Sequence, residues 1–113
     1  MDALALLLNR QSHPRLEEPA PNRQALDDIM HAAVRAPDHA CLSPWQFIVC
    51  EGEGRRKLGK IYKQAAILAA KPEKDIERAS QLPLRAPMVI VAIAKYQTHP
   101  KVPAYSGIYH CLF

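Results

Sequence analysis

Apolar residues recur at helical spacing in three stretches of the chain and run almost unbroken in two others. Leu4, Leu7 and Leu8 share one helical face behind Asp2, a residue type suited to cap a first short helix ending near Asn9 and Arg10. Leu26, Ile29, Met30, Ala33 and Val34 fall at i, i+3, i+4, i+7 and i+8 after Asn22, which predicts a capped helix running to about residue 36. Leu58, Ile61, Tyr62, Ala65, Ala66 and Ala69 repeat in the same way, so a third helix is expected from Gly52 and Gly54 to Lys71, and a shorter one over residues 72–80.

The two unbroken runs read as strands. Residues 45–50 are aromatic and β-branched, bounded by Pro44 and Gly52. Residues 88–94 follow Pro83 and Pro87 and are apolar throughout, the pattern of a central strand covered on both faces. Between the elements, residues 14–21 hold three prolines and form an extended connection, while Pro37 and Pro44 bracket a loop. Helices alternating with two buried strands predict a layered α+β domain, and a length of 113 residues leaves room for one core.

Composition changes this picture little. Fifteen Lys and Arg against eleven Asp and Glu give a net charge of +4, and the one basic run, Arg55, Arg56 and Lys57, has no aromatic residue within it. That triplet reads as the solvated start of a helix, and no nucleic-acid partner is expected. Three cysteines without a C-x-x-C pair indicate neither a disulfide framework nor a zinc site, which fits a reducing, cytoplasmic setting. The first ten residues are too short to span a membrane and carry an acid where a signal peptide needs a base, so no membrane partner is expected.

Chemistry concentrates in two turns. The first, N-R-Q-S-H-P-R at residues 9–15, offers guanidinium, amide and hydroxyl donors in the types a phosphate dianion takes. Taken alone, it reads better as solvated arginines on a polar surface. The second, R-A-P-D-H-A-C-L-S-P-W-Q-F at residues 35–47, is stiffened by two prolines and carries Arg35, Asp38, His39, Ser43 and Trp45. His39 and Cys41 do not make up a metal site by themselves, and no catalytic side chain is assigned.

Together, in this order, the two turns resemble the nitroreductase family, in which a first helix ends in a basic-x-Ser motif and a second leads into A-P-x-x-x-x-x-x-P-W-x-F. The match is closest to its small single-domain branch, with R-A-P-D-H at residues 35–39 and K-V-P at residues 101–103. The resemblance implies a three-layer α+β fold built as an intertwined homodimer with FMN in clefts lined by both subunits. It assigns Arg10, Gln11 and Ser12 to the FMN phosphate side, and Arg35 and His39 to the flavin from the other chain. Gln11 departs from the more usual Arg. The implied activity is NAD(P)H-dependent two-electron reduction of a small-molecule acceptor, a nitroaromatic or a quinone.

Residues 104–113 show no helical periodicity and carry Gly107 in their middle, unlike the Ala- and Met-rich helix with which the family continues. The expectation is therefore that residues 1–103 form the N-terminal part of such a domain and residues 104–113 an atypical tail, left by a truncation or a change of reading frame. A non-catalytic remnant is the alternative.

Overall fold

The computed structural model describes residues 2–36 and 45–94. Helix α1 (Ala3–Asn9) begins at Asp2, whose carboxylate accepts from the Leu4 amide, and ends at Arg10, where the backbone turns extended. Helix α2 (Arg23–Ala33) is capped by Asn22, whose side-chain oxygen accepts from the Ala25 amide at 2.8 Å.

Helix α2 stops short of residue 36. The Arg35 and Ala36 amides donate to Ala32 and Ala33, three residues back, so the last turn tightens. Pro37 explains this, since its ring disfavours α conformation in the residue before it.

Strand β1 (Trp45–Glu51) leads through Gly52 into α3 (Glu53–Leu68). Gly52 has φ +53°, a left-handed conformation in which glycine carries no Cβ penalty. Helix α4 (Glu73–Gln81), a 3-10 turn (Leu82–Arg85) and strand β2 (Met88–Ala94) follow. The strands pair antiparallel, with Trp45 opposite Ala94, Val49 opposite Ile90 and Glu51 opposite Met88.

The packed unit consists of α3, α4, the 3-10 turn and the β1–β2 ribbon, whereas α1 and α2 make no extended contact with it or with each other. Helix α3 meets α4 at Gly59, which is buried, and a Cβ there would stand 2.3 Å from the Ser80 carbonyl oxygen. Contact at Gly59 fixes which face of α3 turns inward. Leu58 and Ala66 are half-buried, while Ile61 and Leu68 stay 59% and 87% exposed.

Strand β2 differs from the expected central strand. Among the described residues it has one neighbour, β1, and Ala92 and Ala94 are exposed. No apolar side chain among the described residues is fully buried. An unbroken apolar run specifies that a strand is to be covered but not by what, which is why the sequence did not reveal this.

Candidate functional site

Arg10 ends α1 because its amide still donates to the Leu6 carbonyl at 3.0 Å while its own backbone is already extended. The next two residues, Gln11 and Ser12, lie in irregular chain, and all three are exposed. Among the described residues, none of their side chains forms a hydrogen bond or ion pair to the protein. A shallow depression of about 200 Å³ lies beside them, lined by Ala5, Leu6, Asn9 and Arg10.

Arg35 lies in the tightened turn that ends α2, also exposed. His39 falls outside the described residues. The structure does not gather Arg10, Gln11, Ser12 and Arg35 into one cleft within a single chain, because the two helices that precede them make no extended contact with each other or with the sheet. What they share is access to solvent.

The segment after the first turn is tied down at one point. The Leu16 amide donates to the Arg85 carbonyl at 2.7 Å, and next to it Arg55 Nη1 donates to the Ala86 carbonyl, also at 2.7 Å. Arg55 thus departs from the solvated helix start expected for residues 55–57: Arg56 and Lys57 are exposed, but Arg55 is half-buried and its Nε is shielded from solvent. No signal in the sequence marked this: Arg55 lies one helical turn before Gly59, whose burial only the structure shows.

Among the described residues, no group of His, Cys, Asp and Glu could hold a metal ion, and no helix is long and apolar enough to cross a membrane. For an FMN phosphate, the donor chemistry of Arg10, Gln11 and Ser12 fits: planar guanidinium, amide and hydroxyl in sequence, none paired among the described residues.

The elements and their order define an α+β domain with a basic turn after its first helix and a Pro-Trp strand entry. The sequence matches the model of the Nitroreductase family over residues 7–109, and the chain belongs to that family. It is 47% identical over 105 residues to the Escherichia coli (strain K12) protein named "Putative NAD(P)H nitroreductase YdjA", across 93% of this chain and 57% of that protein. It is 45% identical over 106 residues to a Haemophilus influenzae protein named "Putative NAD(P)H nitroreductase", across 93% of this chain and 58% of the relative. The chain thus spans a little over half the length of these curated relatives.

The fold is similar to the crystal structure of a nitroreductase-like family protein from Bacillus cereus, with a TM-score of 0.70 at 23% identity, covering 98% of this chain and 58% of that one.

Proposed function

We propose that residues 1–103 form the N-terminal part of an FMN-dependent NAD(P)H oxidoreductase that reduces nitroaromatic or quinone-type acceptors by two electrons. The observation that supports this best is the basic turn of Arg10, Gln11 and Ser12, exposed at the end of α1 and without a side-chain partner among the described residues, in a chain of the nitroreductase family. Bound FMN would supply the hydride chemistry, with NAD(P)H as donor.

The protein's own residues hold and polarise. Arg10 presents a fork that matches phosphate oxygens, and Ser12 and Gln11 complete the donor set. Arg35 contributes a fixed positive charge toward the flavin, where negative charge gathers on reduction, and His39 borders the ring from the same loop. Because Arg10, Gln11, Ser12 and Arg35 follow helices that pack lightly on their own chain, the cleft is formed between two copies as a homodimer. A cytoplasmic location fits three cysteines without a C-x-x-C pair.

A second reading, a non-catalytic remnant that binds flavin weakly or not at all, is favoured by the absence of any fully buried apolar side chain among the described residues. Purification separates the two. The flavin reading expects yellow protein with an absorption band that bleaches on NADPH, and Arg35→Ala is expected to weaken FMN binding and lower the flavin's potential. Colourless aggregate supports the remnant.

A further inference from the structure

We propose that Arg55 is a positioning residue for the phosphate-binding turn. Among the described residues, one backbone hydrogen bond joins the segment between α1 and α2 to the packed unit: Leu16 N–H to the Arg85 carbonyl, 2.7 Å. Leu16 is four residues beyond Ser12, so an anchored Leu16 keeps Ser12 within about 14 Å of itself even with the chain fully extended. Pro14 stiffens the short path between them. Helix α1 has no extended contact of its own to hold the turn from the other side.

The acceptor of this bond is the last residue of the 3-10 turn, two residues before Pro87, which has no amide hydrogen to offer. The 3-10 turn packs on α3 and α4, and at its exit Arg55 reaches 31 residues along the chain from the first turn of α3 to donate to the Ala86 carbonyl at 2.7 Å. Adjacent peptide planes share the Ala86 α-carbon, so holding the Ala86 carbonyl also restrains the direction of the Arg85 carbonyl that Leu16 uses. The bond is charge-assisted and half-buried, which makes it one of the stronger single contacts in the chain. Arg55 therefore acts on the turn through two consecutive carbonyls, without touching the ligand.

The test reads amide exchange first and FMN second, and only the second part rests on the flavin reading. In the native chain the Leu16 amide is expected to exchange more slowly than those of Arg15 and Glu17. Arg55→Met, similar in length but without donors, is expected to speed Leu16 exchange about tenfold while α3 and α4 amides stay near native, and to weaken FMN binding by a similar factor. Arg55→Lys, which keeps a cationic donor, is expected to restore most of both.

Native Leu16 exchanging as fast as its neighbours overturns the proposal, as does an Arg55→Met protein with native Leu16 protection. If Arg55→Met does not fold, the native and Arg55→Lys proteins still decide: Leu16 protection must be present in the first and kept in the second. A native chain that takes no FMN would sink the flavin reading, while the exchange data would still establish or reject the clamp.

Discussion

Gly59 of α3 lies so close to Ser80 of α4 that a methyl group on it would stand 2.3 Å from the Ser80 carbonyl oxygen. The obstacle is backbone, which cannot rotate away as a side chain would. Alanine gains about 1 kcal/mol over glycine in a helix interior, but overpacking a close contact costs roughly 1–3 kcal/mol, and here the helices must separate to admit the methyl. Gly59→Ala is therefore expected to lower the urea midpoint. A midpoint equal to or above the native one would show that α3 and α4 slide apart freely. The Lys63–Glu77 pair across the same helices, 3.6 Å apart and largely exposed, contributes at most about 1 kcal/mol and does not set the packing.

Asn22 holds the first turn of α2 through its bond to the Ala25 amide, and Arg35 rides at the other end of the same helix. Since α2 packs lightly on the rest, losing the cap has little tertiary contact to offset it. Asn22→Ala is expected to cost about 1 kcal/mol locally, seen as several-fold faster amide exchange in α2 with α3 unchanged. Uniform acceleration across both helices would mean that α2 is coupled to the packed unit after all.

Much of this architecture could be read from the residues. Asp2 and Asn22 cap where their chemistry said they would, and β2 spans the residues its apolar run marked. The 3-10 turn at Leu82 was not legible, because the prolines nearby signal only that a helix stops, not what replaces it. Nor was the inward face of α3: its apolar repeat points to Ile61, yet a glycine chose the contact, because the closest approach of two helices goes where side chains are smallest. Of the candidate site, the sequence named the donor groups, but whether Arg10 and Arg35 meet depends on how helices pack, which no local pattern encodes.

Leu7 and Leu8 on α1 are 69% and 74% exposed, and Leu4 on the same face is 61% exposed. If α1 lies against a second copy, each leucine covered there contributes about 1.5–3 kcal/mol. Leu7→Glu and Leu8→Glu are then each expected to weaken self-association about tenfold or more with helix content retained, measured by sedimentation velocity and circular dichroism. A native chain that sediments as a monomer at tens of micromolar would end the dimer reading.

Gln11 stands between Arg10 and Ser12 where the family more often has a second arginine, so residues 10–12 carry one positive charge where two would serve a dianion better. A hydrogen bond to a charged group contributes about 1.5–3 kcal/mol, roughly a tenfold change or more in affinity. Gln11→Arg is therefore expected to tighten FMN binding, and Arg10→Ala to weaken it, each by about tenfold in a fluorescence titration at low salt. Because these groups are exposed, added salt should narrow the difference between variants, and riboflavin, which lacks the phosphate, should show no dependence on residues 10–12. Riboflavin and FMN responding alike to both substitutions would remove the turn from the phosphate side and leave its arginine as an ordinary solvated charge.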